Sequence, residues 1–295
     1  MYFASGESLY LGAGLLLLAL ISPALLKDRW MLRVRNLLAW VALALMIMAS
    51  PPFPLVVSLV FFTIFALWFM TSNQSSLSQT TINLQMGARI FLATSLLILT
   101  IVEFSHRNMP RITGASDHLV VIGDSISSGI DPHVPTWPLI LQQTCGAPVR
   151  NLARPGAQVS EGLLIASDLT DDDHLVLIEI GGNDLLMGVS AADYSKALDA
   201  LLSKVAAPHR TVVMFELPLL PTKISYGQIQ RRLSAKYGVA LIPKRYFAQV
   251  LGDASATTDG LHLSAAGARL LAGTVMQVFA PVLKSCQLSD RYFGD

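Results

Sequence analysis

The charged residues of this chain are distributed so unevenly that its first third and its remainder indicate two different solvents. Residues 1–105 contain only eight charged side chains, whereas residues 106–295 contain the other 33. A soluble domain carries roughly a quarter charged residues, and only the second part approaches that composition. The sequence therefore predicts an integral membrane domain followed by a water-soluble domain.

The predicted membrane domain is all-α with about four spanning helices. A span needs about 20 residues, and about 17 are tolerated. The second apolar segment reaches that length only with Arg33 and Arg35, whose side chains could snorkel to the headgroups. Pro51–Pro54 predicts a tight turn after it, and polar residues 71–85 predict a connector. A buried soluble bundle is the alternative, although apolar residues surround each helix. The four predicted spans are 8–26, 36–50, 53–71 and 87–104.

The loops indicate the orientation of these spans. Residues 27–35 carry four basic side chains and one acid, so the positive-inside rule places them in the cytoplasm. Four spans then place the C-terminal domain outside, in the periplasm if the membrane is a bacterial inner membrane. If the second segment does not cross the membrane, the C-terminal domain lies inside instead. The basic residues that follow the last span also weaken the external placement. The start MYFASGES has no basic region, which predicts an uncleaved signal anchor.

After residue 117 the pattern changes to short apolar runs that alternate with helical stretches. Near-continuous apolar strands between helices predict a mainly parallel five-stranded sheet covered on both faces, in a domain at 117–285. A linker at 106–116 precedes it and a tail at 286–295 follows it. The predicted strands are 118–123, 148–153, 174–182, 211–218 and 239–243, and the predicted helices are near 136–145, 159–169, 191–206, 225–237 and 264–283.

Small and polar residues follow these strands, where parallel sheets bind their ligands. Ser125 ends the run HLVVIGDS after the first strand, and His262 with Asp259 precedes the last helix. A serine nucleophile needs an adjacent base, here His262, and a third group that fixes the base's tautomer, here Asp259. The oxyanion needs preorganised donors, for which the N–H groups of Ser125 and Gly156 and the amide of Asn183 are candidates.

These segments resemble the four sequence blocks of the SGNH (GDSL-type) hydrolases, a superfamily of serine esterases, lipases and thioesterases. The matching segments are GDSISSG, the glycine in NLARPG, GGND and DGLHLSAAG, and the resemblance covers about residues 117–283. It implies a three-layer α/β/α, flavodoxin-like fold that needs no cofactor. It implies Ser125 as nucleophile and oxyanion donor, Gly156 and Asn183 as further donors, His262 as base and Asp259 as its orienting acid.

Three functional hypotheses follow. The first is a membrane-anchored serine esterase that cleaves an acyl ester of a lipid, a glycan or a small molecule. The second is an acyl (acetyl) transferase that acts on a cell-envelope glycan. The third is a non-catalytic accessory subunit of a membrane complex. Four spans exceed what an anchor needs, so membrane lipids, a membrane protein or another copy of the chain are the expected neighbours.

Other ligands are not indicated by the sequence. The net charge of +1 and the absence of a long basic patch argue against nucleic acid. The histidines are scattered without ligand-like spacing, which argues against a metal site. The only two cysteines are Cys145 and Cys286. In an external domain they could form a disulfide, and two free buried thiols are the equally weighted alternative.

Overall fold

The structure is a computed structural model that describes residues 2–21, 29–73 and 78–286. The chain divides into two compact units. The helical unit contains residues 6–107, and the α/β unit contains Asn108–Leu219 and the chain from Ser225 onward. The two units differ in architecture.

Four helices make up the helical unit: α1 Ser8–Ile21, α2 Arg29–Met48, α3 Leu55–Thr71 and α4 Gln79–Ser105. Helices α1 and α2 pack closely because Gly12 has no side chain: a Cβ atom there would lie 2.8 Å from the carbonyl oxygen of Ala42. Phe61, Phe65 and Trp68 of α3 are buried in the core of this unit.

Two helices begin earlier than the sequence predicts. Helix α2 starts at Arg29 and includes both arginines, and the side chain of Arg35 is only 3% exposed. Helix α4 starts at Gln79 instead of residue 87, so the interpretation of 79–85 as a connector is wrong. The N–H of Thr81 donates to Ser78 Oγ at 3.2 Å, which caps the helix ahead of its apolar part. The end of the first predicted span, 22–26, lies outside the described residues.

Helices α2 and α4 are long and apolar enough to cross a bilayer, as judged by length and composition. Helices α1 and α3 are apolar but have only 14 and 17 residues. The membrane domain with four spans stays a prediction.

The α/β unit contains the predicted parallel five-stranded sheet, which is confirmed. Its strands are β1 Leu119–Gly123, β2 Val149–Asn151, β3 Leu175–Glu179, β4 Thr211–Phe215 and β5 Ala240–Ile242. They are ordered β2-β1-β3-β4-β5, and every neighbouring pair is parallel. Every residue of β1 and β3 is buried, as expected for central strands with helices on both faces.

Helices cover the two faces of this sheet and form two hydrophobic cores. One core contains Leu119 and Val121 of β1, and the other contains Val120 and Ile122, because successive side chains of a strand point to opposite faces. The helices are α5 Ser125–Ser128, α6 Trp137–Cys145, α7 Val159–Ile165, α8 Gly182–Leu186, α9 Ala191–Val205, α10 Ile224–Tyr237, α11 Lys244–Gly252 and α12 Ala265–Phe279.

A disulfide joins Cys145 at the end of α6 to Cys286 beyond the end of α12. Their Cα atoms are 4.4 Å apart, and 141 positions separate them in the sequence. Both belong to the core that contains α6 and α12. Most of the predicted tail, residues 287–295, lies outside the described residues.

Candidate active site

Ser125 is the first residue of the short helix α5, which directly follows β1. The Asp124 carboxylate caps this turn by accepting the N–H of Ile126 at 2.9 Å, and Gly129 ends it at φ 73°. The N–H groups of a helix's first turn have no intrahelical partner, so the Ser125 N–H is free to bind a ligand. The Ser125 Oγ makes no hydrogen bond to any described residue.

A buried network that the sequence does not reveal holds this turn in place. Ser127 Oγ donates to Glu179 Oε2 at 2.7 Å and accepts from Trp137 Nε1 at 3.1 Å. The Asn151 amide donates to the Ser127 carbonyl at 2.8 Å. Gly123 lets the turn fold back this tightly, because a Cβ atom there would lie 2.8 Å from Ser127 Oγ. Strands β2 and β3 and helix α6 therefore all fix the position of the serine.

Asn183 connects the turn that carries Ser125 to the loop that carries Gly156. Its Nδ2 donates to Asp124 Oδ2 at 3.1 Å and to the Ala157 carbonyl at 3.0 Å. Gly156 adopts φ 77°, and a Cβ atom there would meet nothing within 4 Å. The Asn183 amide thus links Asp124, which precedes Ser125, to Ala157, which follows Gly156. Both hydrogens of that amide are engaged by protein acceptors.

Asp184, next to Asn183, has a structural role. Its Oδ2 accepts the N–H of Val159 at 3.0 Å, which ties α8 to the start of α7. Its own carbonyl oxygen accepts the Tyr226 hydroxyl at 3.2 Å. These contacts hold the loops at the starts of α7 and α8 in place.

Asp259 and His262 lie in direct contact before α12. His262 Nδ1 is 2.6 Å from Asp259 Oδ2, and Asp259 Oδ1 accepts the N–H groups of Leu261 and His262 at 3.0 and 2.8 Å. These hydrogen bonds, that from the His262 ring above all, lower the pKa of Asp259 below its ordinary value. The carboxylate therefore stays ionised and orients the ring. Gly267 allows the loop to close onto α12, since a Cβ atom there would overlap the Ala256 carbonyl.

Ser125 and His262 line the same surface cleft, although they make no hydrogen bond to each other. Such bonds are often long without substrate and tighten only in the complex. The cleft has an empty volume of about 310 Å³, part of it open to solvent. Asp131 and Thr136 are the other polar residues that line it, and the remaining lining is mainly apolar: Ile126, Ile130, Val134, Pro135, Trp137, Leu263 and Ala268. Neither cysteine lines it.

Two carboxyl groups lie buried next to the turn that carries Ser125. Burial raises the pKa of Asp124 to about 6, an effect that the Ile126 N–H and the charge of His262 offset only in part. Burial, followed by the charge of Asp124, raises the pKa of Glu179 well above its ordinary range. The protonated form of Glu179 is therefore favoured in the folded protein. No group of three or more potential metal ligands occurs among the described residues.

Comparison with known proteins identifies the segment that carries these residues. The model of the GDSL-like lipase/acylhydrolase family matches residues 121–270. That range includes all five proposed catalytic and oxyanion residues. Esterase TesA of Pseudomonas aeruginosa is 27% identical over 185 residues, which cover 57% of this chain and 90% of TesA.

Two further comparisons give similar alignments. An arylesterase of Vibrio mimicus is 29% identical over 164 residues, which cover 50% of this chain and 80% of that enzyme. The crystal structure of TesA is 28% identical, with a TM-score of 0.49, and the match covers 57% of this chain and 99% of that structure.

Proposed function

The chain belongs to the GDSL-like lipase/acylhydrolase family, and on this premise we propose that it is a serine esterase that cleaves a carboxylic ester through a covalent acyl-enzyme. The observation that carries the proposal is the hydrogen-bonded pair of Asp259 and His262 on the cleft that also contains Ser125. The names of the two relatives, an esterase and an arylesterase, support the same reaction class.

In the proposed mechanism, His262 Nε2 takes the proton of the Ser125 hydroxyl as Oγ attacks the ester carbonyl. Asp259 holds the other ring nitrogen and stabilises the imidazolium that forms. The imidazolium then protonates the leaving alcohol, and the acyl group remains on Ser125. Water, deprotonated by His262, attacks the acyl-enzyme and releases the carboxylic acid and the free serine.

The oxyanion of each tetrahedral intermediate is proposed to bind the N–H groups of Ser125 and Gly156 and the amide of Asn183. The two N–H groups are preorganised by the α5 turn and by the left-handed backbone at Gly156. Because both amide hydrogens of Asn183 have protein acceptors, one bond must be exchanged for the bond to the oxyanion. The two bonds available for this exchange are those to Asp124 Oδ2 and to the Ala157 carbonyl.

The cleft supports a substrate with small groups next to the ester. The space in the cleft that a water molecule can enter is only about 20 Å³, so little room is available beside the ester. The segment from Gly129 to Thr136 supplies much of the lining, and its exposed Ile130 lies at the edge. A long acyl chain would have to leave this cleft and cross the protein surface.

We further propose that the helical unit anchors the enzyme in a membrane, with the α/β unit on the extracytoplasmic side. Helices α2 and α4 have the length and composition for this role. The Cys145–Cys286 disulfide supports the external placement, because structural disulfides persist in oxidising compartments.

A fluorophosphonate probe tests the nucleophile in the full chain, purified in mild detergent. We expect the probe to label Ser125 and to leave the Ser125→Ala variant unlabelled. Ser128→Ala is the matched control, because this serine lies in the same short helix and its hydroxyl contacts only the adjacent Gly129 carbonyl. Labelling of Ser125→Ala at the wild-type rate, or none in the folded wild type, would rule the proposal out.

A panel of p-nitrophenyl esters from acetyl to palmitoyl tests the proposed size of the substrate. We expect the highest kcat/KM with the shortest acyl groups, because the cleft is small. A maximum at palmitoyl would contradict this part of the proposal while leaving Ser125 as the nucleophile.

A further inference from the structure

An isolated positive cluster lies at one end of the helical unit, where α2 begins, α3 ends and α4 begins. Arg35 of α2 is 3% exposed, and its guanidinium carbon lies 5.8 Å from the centre of the Trp68 ring of α3. Arg89 of α4 is close enough for its charge to act on Arg35. Gln85 lies one helical turn before Arg89, on the same face of α4. We call these four residues the arginine cluster.

Neutral groups alone hold Arg35 in position. Its Nη2 donates to the Ser72 carbonyl at 3.2 Å and to Asn73 Oδ1 at 3.1 Å, and its Nε donates to Asn36 Oδ1 at 3.2 Å. These bonds join α2 to the end of α3. Its Nη1 has no hydrogen-bond partner in the described part of the chain. The contacts orient the guanidinium but leave its charge uncompensated.

Carboxylates within the described residues do not compensate these two arginines. Glu7 binds Arg107, 18 positions beyond Arg89 at the opposite end of α4. Glu103 lies on α4 about 21 Å from Arg89, at 1.5 Å per residue. Arg89 itself makes no hydrogen bond or ion pair with a described residue. Asp28, the remaining acid before residue 105, lies outside the described residues.

Three hydrogen-bond donors of the cluster are buried and lack an acceptor among the described residues: Trp68 Nε1, Gln85 Nε2 and Arg89 Nε. Trp68 is fully buried and Gln85 is 6% exposed. Buried donors are costly to leave unpaired, and native proteins pair nearly all of them. Every unpaired group of the cluster is a donor and both charges are positive, so the cluster is chemically complementary to an anion with several acceptor oxygens.

We propose that the arginine cluster binds a phosphate group, with the guanidinium groups of Arg35 and Arg89 and the N–H groups of Trp68 and Gln85 as donors. Arginine's planar fork matches phosphate oxygens, and such pairs are charge-assisted. A phospholipid headgroup and free inorganic phosphate share this chemistry. The position near the starts of the two longest apolar helices, beside the basic residues Arg29 and Arg33 of α2, matches the level of a lipid headgroup.

The first experiment measures phosphorus in the full chain after purification in mild detergent and organic extraction. We expect about one phosphorus per chain, which a single occupied site requires. Phosphorus in the chloroform layer identifies a lipid, and phosphorus in the aqueous layer identifies inorganic phosphate. A content well below one per chain in both layers contradicts the proposal unless added phosphate or lipid binds the cluster.

The second experiment therefore measures the thermal midpoint of the delipidated chain with added phosphatidylglycerol, phosphatidylcholine or inorganic phosphate. The variants are Arg35→Gln, Arg89→Gln and Trp68→Phe. Arg33→Gln is the matched control, because it removes the same charge from an exposed position of the same helix. We expect each cluster variant to weaken binding about tenfold or more, since bonds to charged groups are worth at least one decade, and the control to bind normally.

Arg35→Gln could also disturb folding, because Arg35 joins α2 to α3. Arg89→Gln removes no hydrogen bond to a described residue, and Trp68→Phe keeps an aromatic ring while removing the donor. Weaker binding by these two variants at an unchanged ligand-free midpoint supports the proposal. Equal ligand-induced shifts in all variants and the control, or no shift with any probe, overturn it. None of these outcomes depends on esterase activity.

Discussion

Two buried carboxylates of the α/β unit, Asp173 and Glu216, have partners of opposite charge, whereas the two arginines of the helical unit have none among the described residues. Asp173, buried in the α/β unit, binds Arg150 at 2.8 Å and His118 at 3.0 Å. Glu216 binds Arg231 at 2.6 Å. The α/β unit thus compensates these two charges internally, and in our proposal the helical unit takes its compensating charge from a bound anion.

The two units also differ in how many large apolar side chains they expose. In α3, only three of 17 residues are buried, and Leu55, Val56 and Met70 are about 70% exposed. In the α/β unit, exposed large hydrophobic residues are few and scattered. A unit folded in water hides its apolar groups, while a unit in lipid can present them outward. The difference indicates the solvent of each unit.

The largest predicted effect concerns catalysis, which we assign to the α/β unit alone. Asp259→Asn should lower kcat by about 10⁴-fold, because the ring of His262 loses the acceptor that fixes its tautomer. Initial rates with a short p-nitrophenyl ester check this. Asp117→Asn, an exposed surface change, serves as the control. Near-normal turnover in Asp259→Asn would remove this residue from the proposed triad.

The second prediction tests the Cys145–Cys286 disulfide, which lies in the α/β unit. Cys286→Ala should destabilise that unit by about 2–4 kcal/mol, because the unfolded chain regains the freedom of a long loop. Urea unfolding measures the loss. Reductant should destabilise the wild type to a similar degree and leave the variant unchanged. A wild type insensitive to reductant would indicate free thiols and weaken the extracytoplasmic placement.

The third prediction tests whether the two units have different surroundings, since it places one charge on an exposed position of each unit. Leu97 of α4 and Leu164 of α7 are similarly exposed, at 59% and 65%. Leu97→Arg should cost about 2.5–3.5 kcal/mol if α4 crosses a bilayer, whereas Leu164→Arg should stay within about 0.5 kcal/mol. Membrane insertion and the thermal midpoint in detergent are the measurements. Equal tolerance at both positions would mean that both faces contact water.

The smallest predicted effect concerns a paired charge. Hydrogen bonds from Thr170, His118 and Arg150 outweigh the effect of burial and lower the pKa of Asp173 to about 2. Since the unfolded value is about 4, folding is favoured by about 2 kcal/mol above pH 4, and this contribution disappears as the pH falls towards 2.

Asp173→Asn should therefore lose about 2 kcal/mol at pH 7 and much less near pH 2. Urea unfolding at both pH values measures this loss. Asp168→Asn, whose exposed carboxylate lies 3.7 Å from Arg154, should lose less than about 1 kcal/mol. A loss for Asp173→Asn that does not change with pH would mean that packing, not charge, accounts for it.

The sequence predicted the sheet well, because buried parallel strands appear as short apolar runs between helical stretches. All five predicted strands occur, and only their ends differ. The edge strands β2 and β5 have three residues each, because each pairs on one side only. The sequence analysis missed α11, which has only nine residues, and the start of α4, which lies in a polar stretch whose only signal is the cap at Ser78.

The proposed site residues could be found from the sequence because each lies in a short motif. The network beneath them could not. Ser127 and Glu179 are 52 positions apart, and they meet because Gly123 pairs with Glu179 in the register of β1 and β3. The available signal was one acid inside an otherwise apolar strand, LVLIE. Such a signal indicates that a polar partner exists but does not identify it.

The link between Cys145 and Cys286 turns most of the α/β unit into a covalent ring. Gly156, Asn183, Asp259 and His262 lie inside this ring, but Ser125 precedes it. A protease that cuts once within the ring leaves both fragments joined by the disulfide. The proposed base and the oxyanion donors Gly156 and Asn183 therefore stay in one covalent molecule. A cut between Ser125 and Cys145 instead detaches the nucleophile, which makes residues 129–136 the most vulnerable stretch for inactivation.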